Sequence, residues 1–159
     1  MKYVLIIGAS HAGKSTTVNE ICRRLNPDKV WRLVPNYSDL MSSSFEEVKI
    51  DTPIQNGTYL IQTGGIKMLV SAGSPTEQGI TVTMLISICI KLKIEIKFLI
   101  VSMRSFEIKK GYDTKNELLQ LGANIYEEKI YKIPGDDYRE NIEWKARINR
   151  IIQAIQTNQ

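Results

Sequence analysis

One stretch constrains this chain more than any other: Gly8-Ala9-Ser10-His11-Ala12-Gly13-Lys14-Ser15-Thr16. The apolar run Tyr3-Val4-Leu5-Ile6-Ile7 precedes it, and Val18, Ile21, Cys22 and Leu25 follow at helical spacing. The first pattern predicts a buried strand over 2–7 and the second a helix over 14–25. Gly8 and Gly13 let the backbone curl without a Cβ in the way. Successive amide N–H groups ahead of a helix then form a concavity for an anion. The spacing reads as a phosphate loop lined by Gly8, Ser10, His11, Ala12 and Gly13. Lys14 would reach the β- and γ-phosphates, the Ser15 hydroxyl would ligate Mg²⁺, and Thr16 would donate to the α-phosphate. The plainer alternative is a glycine-rich turn linking strand to helix. It leaves the adjacent Lys-Ser pair and the correct flanks unexplained.

These residues match G-x-x-x-x-G-K-[ST], and there the chain resembles the P-loop NTPase superfamily. The resemblance implies a three-layer α/β/α sandwich with a mainly parallel sheet, of the kind of the P-loop nucleoside triphosphate hydrolases. It also implies ATP or GTP as ligand, with Mg²⁺. A kinase- or GTPase-like arrangement is expected, and no individual family within the superfamily stands out.

The 159 residues suit one nucleotide-binding domain over 1–159, with 43% hydrophobic and 24% charged residues. A net charge of +4 accommodates phosphate ligands but argues against nucleic acid or membrane surfaces as partners. The start lacks the apolar length and cleavage site of a secretory leader. Cys22 and Cys89 each lie in an apolar pattern and read as buried thiols. A cytoplasmic protein is expected.

Further along, Asn26-Pro27 ends the first helix, and Val30–Val34 is a candidate strand. Residues 36–45 read as a loop or short helix, made mobile by Ser42-Ser43-Ser44, and suit a substrate loop. Glu46–Asp51 and Thr58–Gln62 read as two strands around the turn Asn56-Gly57, a β-hairpin insertion over about 46–62. Ile66–Val70 is the next strand. Residues 80–91 fit strand or helix, and the need for a crossover favours helix. Glu95–Ser102 reads as a buried strand, Thr114 and Glu117 as a capping box, and Asn124–Ile133 as a last strand. Asp137 with Glu140 reads as the cap of a helix running to about 156. Its apolar face is Trp144, Ile148, Ile151, Ile152 and Ile155, and Arg139, Glu143, Arg147 and Arg150 form its solvated side.

Beyond the loop, Val70-Ser71-Ala72-Gly73 resembles the small-GTPase switch, with Ala72 and Gly73 matching and Val70 where the aspartate stands. Ser102-Met103-Arg104-Ser105 lies where that family reads guanine, without its lysine and aspartate. Lys14, Glu77 and Arg104 are the candidate catalytic residues. Glu77 would orient a water or a hydroxyl, and Arg104 would meet charge on the phosphates. Asp39 and Asp51 are further acids to consider, and each also reads as an ordinary surface carboxylate. Trp31, Tyr37 and Tyr59 are candidates to stack on a base, with packing as their default role. Three functions stay open. One is binding of a purine triphosphate (ATP favoured over GTP) with phosphoanhydride hydrolysis. The second is a kinase passing the γ-phosphate to a small-molecule acceptor near residues 36–60, for which Arg104, Lys109 and Lys110 offer a sparse basic lid. The third is a catalytically weak, nucleotide-dependent module that binds a protein partner.

Overall fold

The computed structural model describes residues 1–135 and 137–159. Seven strands form one sheet in the order β3-β2-β4-β5-β6-β1-β7. They are β1 Lys2–Gly8, β2 Lys29–Val34, β3 Ser44–Val48, β4 Thr58–Thr63, β5 Ile66–Ser71, β6 Phe98–Arg104 and β7 Ala123–Lys129. The helices are α1 Lys14–Arg24, α2 Pro75–Gln78, α3 Val82–Lys91, α4 Thr114–Leu121 and α5 Ile142–Thr157.

Side chains alternate across the sheet and so sort into two cores. Val4, Ile6, Ile100, Val70 and Ile61 face α1 and α5 on one side. Tyr3, Leu5, Leu99, Leu69 and Leu60 face α3 and α4 on the other. Helices therefore cover both faces, and the expected α/β layering holds. On α5, Ile148, Ile151 and Ile155 are fully buried, each stabilising the fold by about 1.5–3 kcal/mol. Residues 80–91 resolve into α3, capped by the Thr81 side chain, which accepts from the Met84 amide.

The sheet is mixed rather than mainly parallel. β5-β6-β1-β7 run parallel, while β3-β2, β2-β4 and β4-β5 are antiparallel. The expected hairpin over 46–62 is absent, because β3 pairs with β2 and β4 pairs with β2 and β5. The chain leaves the edge strand β3 and must cross the end of β2 to reach β4. It does so through residues 49–57, pinned where the Asn19 side chain accepts from the Ile54 amide (2.8 Å) and Ile54 enters the core. Asn56, with φ 51°, turns the backbone but joins no hairpin. The true tight turn is Gly64-Gly65, between β4 and β5.

Other local expectations shift as well. Ser43 is buried and accepts from the Asn36 amide, so the serine run is held rather than loose. The α4 cap is Asp113, one residue earlier than expected; its side chain accepts from the Asn116 amide. The α5 cap is Asn141, not Asp137; its side chain accepts from the amides of Glu143 and Trp144. Arg147 belongs to the buried face of α5.

Candidate functional site

β1 delivers the chain to the carboxyl end of the sheet, between β6 and β7. Gly8 sits where a Cβ would lie 2.9 Å from the Ile130 side chain, so only glycine fits. A turn follows, closed by the Ala12 amide on the Ala9 carbonyl (3.2 Å). His11 (φ 61°) and Gly13 (φ 93°) are both left-handed. Gly13 has open space around its missing Cβ, so its backbone angle, not crowding, calls for glycine. The first helical bond of α1 runs from the Thr17 amide to the Gly13 carbonyl, and no side chain caps the helix. The amides of the first turn therefore lack intrahelical acceptors and carry the positive end of the helix dipole.

Lys14 is 7% exposed, and its Nζ donates to the carbonyls of Gly8 and Ala9, both at 2.9 Å. Burial lowers its pKa; Glu77 opposes that shift and Arg104 adds to it. Arg104 is brought in by β6, whose register sets it beside Gly8. Glu77 comes from α2, whose N-terminus is fixed by Ser74 and Pro75. The Arg104 Nε donates to Glu77 Oε1 at 3.0 Å. Burial pushes the Glu77 carboxyl up, but the Arg104 hydrogen bond and the charges of Lys14 and Arg104 outweigh it and hold the pKa below the ordinary carboxylate value.

The Ser15 hydroxyl lies 3.3 Å from Asn56 Oδ1 and 3.4 Å from the Ala72 carbonyl. Asn56 is held there because the amides of Ala72 and Gly73 both donate to the Gly57 carbonyl. Val70 points into the apolar core and is fully buried. β5 is not the neighbour of β1, since β6 lies between them. A carboxylate ending β5 would thus stand two strands from the loop.

These residues enclose a cavity of about 450 Å³, lined by Ser10, His11, Gly13, Lys14, Ser15, Thr16, Asn56, Glu77 and Arg104. It continues on both sides. One neighbour, of about 620 Å³, shares Asn56 and Glu77 with it. The other, of about 210 Å³, shares His11, Gly13 and Thr16. Two cations, uncapped helix amides and one carboxylate converge, a composition suited to a polyanion that carries a cation with it.

The fold thus gathers Lys14, Glu77 and Arg104 with the loop residues, while Gly8 and Ala12 shape the loop from beneath. It leaves other candidates outside this cavity. Asp39 accepts from the Ser42 hydroxyl, and Asp51 is exposed in a turn beyond β3. Trp31 lies under Lys67, and Tyr59 is buried with its hydroxyl donating to the Gln55 carbonyl. Tyr37 lines the larger neighbouring cavity, and its hydroxyl donates to the Gln78 carbonyl. Lys109 and Lys110 are exposed and line none of the three cavities.

Sequence reasoning missed Asn56 and Arg147. Nothing local marks Asn56, which arrives through the crossing of residues 49–57. Arg147 did carry a signal: with Trp144, Ile148 and Ile151 it completes one helical stripe, read too readily as solvated because it is charged. Among the described residues, no group of three or more His, Cys, Asp or Glu is arranged to hold a metal ion, and no helix is long and apolar enough to cross a membrane. No family model, curated protein or solved structure matches the chain.

Proposed function

We propose that residues 8–16 bind the phosphates of a nucleoside triphosphate together with Mg²⁺. The observation that carries this reading is the buried Lys14 inside a loop with left-handed His11 and Gly13, ahead of an uncapped eleven-residue helix. The Lys14 Nζ donates to the neutral carbonyls of Gly8 and Ala9. A phosphate oxygen offers it a charged acceptor instead, which is the stronger partner. The Ser15 hydroxyl, with Asn56 Oδ1 and the Ala72 carbonyl near it, supplies only oxygen donors. That set suits Mg²⁺, which keeps most of its ligands as phosphate and water. Arg104 would neutralise charge at the reacting phosphate, and Glu77 would orient the attacking water or hydroxyl there.

The test is calorimetric titration of the purified chain with ATP and GTP, each with and without Mg²⁺, with Lys14→Ala alongside. Lysine-dependent binding is the expected result. Equal affinity in the variant overturns the assignment of the loop.

A second reading, phosphoryl transfer to a small-molecule acceptor, draws support from the cavity of about 620 Å³ that shares Asn56 and Glu77 with the phosphate cavity. An acceptor hydroxyl held there would approach the γ-phosphate from the Glu77 side. This reading requires release of nucleoside diphosphate to depend on the acceptor. Release at the same rate without any acceptor leaves hydrolysis as the activity.

A further inference from the structure

The phosphate cavity opens on one side into the pocket of about 210 Å³ between the loop, residues 131–135 and the start of α5. This pocket contains an unusual group. Arg147 is only 5% exposed, yet among the described residues it makes a single hydrogen bond, from Nη2 to the Tyr131 carbonyl (2.9 Å). Among the described residues no carboxylate lies within ion-pair distance of it. A guanidinium has five N–H donors, and among the described residues its charge meets only the longer-range attraction of Glu128 and Glu143, both of which are paired directly with Arg150. None of its nitrogens is both sealed from solvent and without a partner, and the side chain lines the pocket. Beside it, Tyr138 and Trp144 meet edge to face, centroids 5.5 Å apart and planes at 67°, and form an aromatic wall.

Resting on the nucleotide reading above, we propose that this pocket takes the base of the nucleotide and that Arg147 makes it selective for a 6-oxopurine, guanine. The aromatic wall suits a planar heterocycle. The guanidinium fork matches the two adjacent acceptors of guanine, O6 and N7. Adenine sets its N6 amino donor where O6 would be, so one arginine N–H would face another N–H. The lining of the larger cavity on the opposite side contains no comparably buried cation, since its Arg32 is exposed. This reverses the preference for ATP drawn from the missing asparagine-lysine-x-aspartate pattern. That pattern reads the N1–H and N2 amino donors of guanine with a carboxylate, whereas Arg147 reads the acceptor edge.

The two modes differ in which analogues they tolerate. The test titrates the full chain, with Mg²⁺, against GTP, ITP, 7-deaza-GTP and ATP. ITP lacks the N2 amino group and keeps O6 and N7, so it is expected to bind about as well as GTP. 7-deaza-GTP lacks N7, and it and ATP are expected to bind about ten- to hundredfold more weakly. Arg147→Met, which keeps the apolar packing of the stem, is expected to bring GTP down to the ATP level. If that variant does not fold, the analogue series alone decides. ATP binding as tightly as GTP, or ITP falling to the ATP level, overturns the base assignment and leaves the phosphate site standing. Failure of all four triphosphates to bind overturns both.

Discussion

Ser102→Ala tests how the end of β5 is tied to the candidate site. Ser102 is fully buried on β6, and its hydroxyl lies 3.0 Å from the Ser71 carbonyl and 2.8 Å from the Ala72 carbonyl. Ala72 follows the last residue of β5, and the other side-chain donor near its carbonyl, the Ser15 hydroxyl, is 3.4 Å away. Removing the Ser102 hydroxyl leaves a buried carbonyl without a short donor, which costs about 1–3 kcal/mol. The variant also avoids desolvating a hydroxyl, and the void it leaves is one oxygen in size. The lower half of the range applies, about 1–2 kcal/mol. For a chain of this length that corresponds to a fall in melting temperature of about 2–8 °C. Urea unfolding followed by circular dichroism is the assay. The midpoint should drop while the slope stays constant, because the buried surface is unchanged. A loss below about 0.3 kcal/mol would refute the claim that these carbonyls depend on Ser102.

Asn141→Ala removes the acceptor for the Glu143 and Trp144 amides at the start of α5 (2.8 and 3.1 Å), and should cost about 1 kcal/mol in the same assay, whereas Asp137→Ala should be nearly silent. The folded pKa of Glu77 lies below its ordinary value of 4.5, so the unfolded chain binds its proton first on acidification. Its stabilising contribution is thus fully present above pH 4.5 and is lost as pH falls through the folded value. The stability gap between the parent chain and Glu77→Gln should close over that acidic window, and a gap independent of pH would contradict the pairing with Arg104. Burial pushes the thiols of Cys22 and Cys89 up to about 12, so neither should react with an aromatic disulfide reagent at pH 8 until the chain unfolds. Rapid modification of the native protein would show the cores to be open.

Much of the fold was legible because its signals are local. The β1-loop-α1 unit follows from an apolar run, two glycines and a helical stripe, all within 25 residues. The helices α4 and α5 follow from periodicity, although their caps slip by one and by four residues, and α3 follows from the need for a crossover. Thr114 and Asp113 can each accept from an amide two or three residues on, and so can Asp137 and Asn141. Only packing decides which of each pair stands at the helix entrance. The middle of the chain was misread because Asn56-Gly57 carries the residues of a hairpin turn without the partner strands to make one.

Taken alone, the sequence determined most of the strands and helices, most of their apolar faces, and that a glycine-rich loop ending in Lys-Ser joins the first strand to the first helix. Those properties arise from backbone propensity and from side-chain period, which act over a few residues. Only the tertiary structure decided the strand order and what surrounds the loop. It set β6 rather than β5 beside β1, brought Glu77 and Arg104 to Lys14, drew Asn56 up to Ser15, and buried Arg147 beside the loop. Strand pairing and cavity walls join residues far apart in the chain. Their arrangement is set by how two apolar cores fill on either face of one sheet, and no local pattern encodes that.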